Sequence, residues 1–296
     1  MRAAVDADGF TLVTSKSSNN SNSKRAPCAR IKQQPATNTS KGTESSNHVH
    51  QTAVLPGKRY NKQRQQKGPT IEETVEKILY KIADKRYTLQ SSGYMKQMEK
   101  HQQLINRFDP QEVVCYGIGS PATSLVSQWQ MALLMELGYT NIHAFDPVMS
   151  DVDQLVLEKL HIQIIPTNEE GARKAVKRTL FYMPHCEQFL YENLVCANWS
   201  RDLLPNVLVI GNGFASYLEA QGRGKFAQES AHLARAVDHL ECLEFPSEKL
   251  LKLKNSPYAF TNTCLQTIKQ SSLDGCLSDP EMPSKEQETK LPVASQ

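Results

Sequence analysis

The sequence has no long apolar run. Nowhere do about 18 consecutive residues stay hydrophobic, which excludes a membrane-spanning helix. The first 30 residues hold no apolar core segment, so a secretory signal is not expected. There is no Cys-x-x-Cys, and the seven cysteines (28, 115, 186, 196, 242, 264 and 276) are odd in number and irregular in spacing. That pattern argues against a disulfide framework or a zinc ribbon and fits a reducing compartment. No metal site is expected. Acidic residues are scarce at one end only. Residues 1–69 carry 12 Lys+Arg against 3 Asp+Glu, a net of +9, and the other 227 residues carry 22 against 28, a net of -6. The overall +3 therefore hides a basic tail on a mildly acidic body.

Ser, Thr, Asn and Gln make up 26 of the first 69 residues. Such a segment buries too little apolar surface to offset the entropy of ordering it, so 1–69 is expected to be a disordered tail. Phe10, Leu12 and Val13 within Asp8–Val13 leave room for one short extended piece. The cluster from Lys58 to Lys67 is either a nuclear signal or RNA-binding patch or a solvated linker, and the linker is favoured because Gln dilutes its charges and Tyr60 is its only aromatic. Nucleic-acid binding is accordingly ranked last.

From Thr70 the chain takes on helical periodicity. Ile71, Val75, Ile78, Leu79 and Ile82 form one apolar stripe, with Thr70 as N-cap. A second, more polar helical stretch runs over 93–108. Beyond residue 112, apolar runs alternate with helix-length segments. Strands are expected at 113–117, 141–145, 162–165, 179–183 and 207–210, with edge strands from 240–245 and 259–268. A helix opened by a Thr167/Glu170 capping box is expected between the third and fourth strands. Near-continuous apolar strands in β-α-β order predict an α/β fold with a doubly wound, mostly parallel Rossmann-like sheet, preceded by one or two helices. The expected organisation is a tail over 1–69, an α/β domain over 70–268 and a flexible tail over 269–296.

In such sheets ligands lie beyond the carboxyl ends of the strands, and four loops fall there. Gly117-Ile118-Gly119-Ser120-Pro121-Ala122 matches G-x-G-x-x-A. Gly117 would permit the turn and Gly119 a close backbone approach to a phosphate, with Ser120 as helix N-cap and Ala122 packing the helix on its strand; the alternative is a tight turn that holds no ligand. Asp146 ends the second strand, either where an acidic residue meets a ribose hydroxyl or simply as a turn residue before Pro147. His185 and Cys186 follow the fourth strand and are the candidate catalytic pair, the thiol with its pKa lowered by a helix N-terminus. The alternative is that both merely pack. Gly211-Asn212-Gly213 follows the fifth strand, where close backbone approach serves either a ligand or a neighbouring loop, and Asn212 either contacts a nucleotide or satisfies a turn.

Several of these stretches together resemble one known family. Cys115–Ser120 with Gln130–Leu134, Phe145-Asp146-Pro147, Met183–Cys186 with Leu190-Tyr191, Ala197–Trp199 and Ile210–Asn212 are similar to the motifs of the "sensitivity to red light reduced" (SRR-like) family, and Asp8–Val13 to its usual start. Gly213 departs from the expected Ser. The resemblance implies a regulatory protein linked to circadian-clock input, red-light signalling and heme biosynthesis, cytoplasmic and in some cases nuclear. It supplies no catalytic residues. The expected function is thus a non-enzymatic regulator with a small nucleotide or metabolite cleft and protein partners, the cofactor unidentified. The alternative is an enzyme using S-adenosylmethionine or NAD(P), held by Gly117, Gly119 and Asp146.

Overall fold

A helix of 21 residues opens the body. In the computed structural model, Thr70 caps α1 (Ile71–Ser91) by accepting the Glu73 amide, while the Glu73 carboxylate accepts the Thr70 amide. Val75, Ile78, Ile82 and Leu89 are its buried stripe. The structure describes residues 4–5, 11–12, 68–251 and 258–278. The basic cluster at 58–67 and the last 18 residues lie outside them. The chain divides into two units, Met1–Gly68 and Pro69–Gln296. In the first, β1 (Ala4–Val5) pairs antiparallel with β2 (Thr11–Leu12), which falls in the short extended piece expected there.

In the second unit, α2 (Tyr94–Gln97) and α3 (Glu99–Phe108) lead into the sheet. Then come β3 (Glu112–Tyr116), α4 (Leu125–Glu136), β4 (Ile142–Phe145), α5 (Asp151–Lys159), β5 (Gln163–Ile164), β6 (Thr179–Met183) and α6 (Gln188–Ala197). β7 (Val207–Asn212) is followed by α7 (Phe214–Gln221), α8 (Arg223–Glu229), α9 (Ala231–Ala236), β8 (Leu240–Glu244), β9 (Thr263–Ile268) and α10 (Leu273–Leu277).

The seven-stranded sheet has the order β5-β4-β3-β6-β7-β9-β8. The first four pairings are parallel, while β9 lies antiparallel to both neighbours. The expectation of a mostly parallel sheet is corrected here: the sheet is mixed. The physical reason lies in the connections. Parallel neighbours need a crossover, and the α7–α9 crossover carries the chain past one vacant position before β8. The return from β8 to β9 has only one described helical turn, at Glu248–Leu251, and it fills that position antiparallel.

Alternating strand residues feed two apolar clusters. Val113, Cys115, Leu180, Tyr182, Leu208 and Ile210 pack with α1, α4 and α5. Val114, Tyr116, Phe181, Met183, Val207 and Val209 pack with α6 to α10. The strand period of two therefore gives each face its own core.

The expected helix after β5 is absent. The Asn168 side chain accepts the Glu170 amide, Glu170 and Gly171 both have positive φ, and the Glu169 carboxylate is gripped by Arg173 at 2.8 and 2.9 Å. Asn198 holds the remainder of this loop by accepting the Ala175 amide at 2.7 Å and donating to the Arg173 carbonyl at 2.8 Å. At the other end, α10 buries Leu273 and Cys276 within the stretch expected to be a tail.

Candidate functional site

The loop after β3 starts with two left-handed glycines, Gly117 (φ 69°) and Gly119 (φ 73°). A Cβ on Gly117 would lie 2.5 Å from the Cys186 sulfur, so this position joins the first loop to the third. The Gly119 amide donates to Asp146 Oδ2 at 2.7 Å, which joins the first loop to the second. The other Asp146 oxygen accepts the Val148 amide at 2.9 Å and tightens the turn around Pro147.

Ser120 is buried but is not the N-cap. Its carbonyl accepts the amides of Thr123 and Ser124, and Ser124 caps α4 four residues later than expected. Ala122 therefore lies in the turn before the helix, not on it. Its amide donates at 2.8 Å to Asp153, a fully buried carboxylate whose second oxygen accepts the amide and hydroxyl of Ser150. Asp153 thus caps α5 and pins the glycine loop.

His185 follows β6 with a left-handed φ of 59°. Its amide donates to Asn212 Oδ1 at 3.0 Å, and its ring Nε2 lies 3.0 Å from the Ala259 carbonyl. A carbonyl only accepts, so the proton sits on Nε2. Burial lowers the His185 pKa below its ordinary 6.5 and keeps the ring neutral. The Cys186 thiol donates to the Tyr116 carbonyl at 3.3 Å. Burial pushes its pKa up, as do the charges of Asp146 and Glu187. The expected lowering by a helix terminus is reversed, chiefly by burial; α6 starts only at Gln188, and its N-cap is the acidic Glu187.

Asn212 is spent within the protein. Its Nδ2 donates to the Cys186 carbonyl at 3.1 Å and to the Tyr217 hydroxyl at 2.9 Å, while its Oδ1 takes the His185 amide. Tyr191 accepts the Asn212 amide at 3.0 Å and donates to the Met183 carbonyl. Gln266 of β9 donates to the Asn212 carbonyl at 2.7 Å. On the other face, Gln130 donates at 3.2 Å to the same Ala259 carbonyl that His185 contacts. Tyr191, Gln266 and Gln130 are buried polar groups that local patterns do not assign to the rim. The available hint was a polar residue in an otherwise apolar helix or strand.

Two buried hydroxyls near this rim have no hydrogen-bond partner, that of Thr263 on β9 beside Asn212 and that of Ser127 beside the glycine loop. Ser127, on the first turn of α4, is 1% exposed and its Oγ has no hydrogen-bond partner. It lies 3.8 Å from where a Gly119 Cβ would be. Among the described residues no group of three or more His, Cys, Asp or Glu is arranged to hold a metal ion, and no helix is long and apolar enough to cross a membrane.

Residues 87–267 match the SRR1 domain family. The chain belongs to the SRR1 family. Within it, the chain is 41% identical over 114 residues to Protein SENSITIVITY TO RED LIGHT REDUCED 1 of Arabidopsis thaliana, covering 36% of this chain and 42% of that protein. It is 35% identical over 135 residues to an SRR1-like protein of Mus musculus (43% and 54%). It is 30% identical over 194 residues to one of Drosophila melanogaster (63% and 66%). These matches span less than two thirds of each relative. No solved structure matches the chain. The SRR1 match covers all four rim loops described above.

Two predictions arise from the titrating groups of this SRR1 domain. His101 and His185 are both held below pKa 6.5, chiefly by burial. Below pH 6.5 the unfolded chain takes up protons that the folded chain refuses. Stability is therefore expected to fall as the pH drops from about 7 toward 5.5. Denaturant midpoints at the two pH values check this, and His101→Phe should make the fall shallower. The Cys242 thiol is exposed, and a hydrogen bond with the Cys264 thiol lowers its pKa. Among the described cysteines, Cys242 should be alkylated first near pH 8 and Cys186 late. Peptide mapping after timed iodoacetamide treatment measures the order.

Proposed function

We propose that the chain is a regulatory protein whose doubly wound, Rossmann-like sheet binds a nucleoside-bearing small molecule at its carboxyl rim. The observation that carries this reading is the unpartnered Ser127 hydroxyl, buried beside the left-handed Gly119. A buried hydroxyl without a partner costs about 1–3 kcal/mol, and a ligand that supplies the partner recovers it. Gly119, Ser120 and Asp146 are the proposed contacts, with Asp146 directed to a ribose. Gly117 and Asn212 shape the rim from behind. His185 and Cys186 line it without a catalytic step, in keeping with a protonated thiol and a neutral ring already bonded to a carbonyl. The setting in clock and red-light input, in heme regulation, in the cytoplasm and nucleus, and with protein partners is proposed on family membership alone.

Ser127→Ala tests the reading. The unliganded variant is expected to be as stable as the parent or more so, because an unsatisfied group is removed. Small molecules that co-purify with the full parent chain, identified by mass spectrometry, should be reduced or absent in the variant. A variant that retains the same bound molecule, or a parent chain that carries none and is not stabilised by any added nucleoside, contradicts the proposal. A ligand at about 100 times its Kd would add ~2.7 kcal/mol.

A further inference from the structure

We infer that the molecule taken by this rim is an S-adenosyl compound, S-adenosylmethionine or S-adenosylhomocysteine, and not a dinucleotide or nucleotide phosphate. The inference rests on the nucleoside reading above and narrows it. Counted in chain order, the seven strands of the sheet lie 3-2-1-4-5-7-6, with the seventh antiparallel. A dinucleotide-binding sheet has the order 3-2-1-4-5-6. An antiparallel last strand inserted between the fifth and sixth is the arrangement used by S-adenosylmethionine-dependent methyltransferases.

The chemistry of the rim points the same way. A pyrophosphate on a glycine loop needs free backbone amides. Here the Ala122 amide is held by the buried Asp153 at 2.8 Å, and in the unliganded chain the Gly119 amide is held by Asp146 at 2.7 Å. Those two carboxylates would also repel a dianion. The four loops, 117–124, 146–150, 184–187 and 211–213, contain no Lys or Arg and add Glu187 to the acidic side. Such a surface disfavours phosphate, which neither S-adenosyl compound carries, and in S-adenosylmethionine it also suits the sulfonium cation. Asp146 ends the second strand, where a carboxylate accepts from both ribose hydroxyls, and it would exchange its Gly119 contact for them. The free Ser127 hydroxyl then meets a polar group of the ligand.

Isothermal titration of the full chain with S-adenosylmethionine, S-adenosylhomocysteine, NAD+ and ATP tests this. The two S-adenosyl compounds are expected to bind at least about tenfold more tightly than NAD+ or ATP, a difference of about 1.4 kcal/mol. Asp146→Ala should weaken S-adenosylhomocysteine by at least about tenfold. Asp146→Asn, which can still accept from the Gly119 amide, serves as the second variant if alanine impairs folding, and it too should weaken binding. NAD+ or ATP binding as well as or better than S-adenosylhomocysteine overturns the inference and leaves the nucleoside reading standing. Binding unaffected by either Asp146 variant overturns the placement. No binding by any of the four overturns the inference and the nucleoside reading together.

Discussion

Asp153→Ala should lower the unfolding free energy by roughly 3 kcal/mol, because a single buried carboxylate satisfies two separate structures. One oxygen accepts the Ala122 amide at 2.8 Å, and the other accepts the Ser150 amide at 2.9 Å and the Ser150 hydroxyl at 2.7 Å. Alanine would orphan both amides, each at a cost of about 1–3 kcal/mol. The Ser150 amide bond is also the reciprocal half of the capping box on α5. Asn should recover only part of the loss. Its one carbonyl oxygen can serve one side, and its amide group would then face a donor on the other. Urea denaturation reads the effect as a lower midpoint with unchanged slope. A loss below about 1 kcal/mol would mean that the loop and the helix do not depend on this carboxylate.

Gly211→Ala is the second large effect. A Cβ there would lie 2.7 Å from a Tyr191 ring carbon, 2.9 Å from its hydroxyl oxygen and 3.1 Å from the Met183 carbonyl oxygen. The carbonyl belongs to the neighbouring strand of a parallel ladder and cannot withdraw. The Tyr191 ring, fully buried, has nowhere to turn without giving up its bonds to the Met183 carbonyl and the Asn212 amide. Overpacking of this kind costs about 1–3 kcal/mol, and the lost hydrogen bonds add about 1 kcal/mol each. The melting temperature should fall by roughly 5–15 °C. Gly224→Ala is the control. Nothing lies within 4 Å of that position, which falls inside α8, so alanine should stabilise by about 0.5–1 kcal/mol. Differential scanning calorimetry of the two variants should show shifts of opposite sign.

The sequence announces the local elements. Thr70 caps the helix expected of it, and the alternation in Val113–Tyr116 and Leu180–Met183 divides the strand residues between two cores. Strand order is less legible, because it depends on where a connection returns and not on local periodicity. The antiparallel insertion of β9 is invisible in a pattern that reads the same in either direction. The helix expected after β5 fails for a related reason. A Thr167/Glu170 spacing is favourable locally, but the side chains of Asn198 and Asn193 offer that backbone partners from across space, at the Ala175 amide and at the Arg173 and Glu170 carbonyls.

At the rim, residue type locates the loops and coordinates assign their partners. Gly119 and Asp146 are both evident in sequence, and the structure brings them into direct contact. The close approach expected at Gly211 is to a tyrosine ring and a neighbouring carbonyl. Asn212, which sequence reading offers to a nucleotide, instead ties the β6 loop to β7. The feature that speaks most directly for a ligand, the idle hydroxyl of Ser127, is one that no sequence pattern reveals.

Amide hydrogen exchange of the full chain, with and without saturating adenosine, tests the central claim without presuming what the nucleoside carries. Slower exchange is expected in residues 117–124 and 146–150 together, with no change along α5 and β5. Unaltered exchange in both loops, or protection confined to another part of the molecule, would contradict the site.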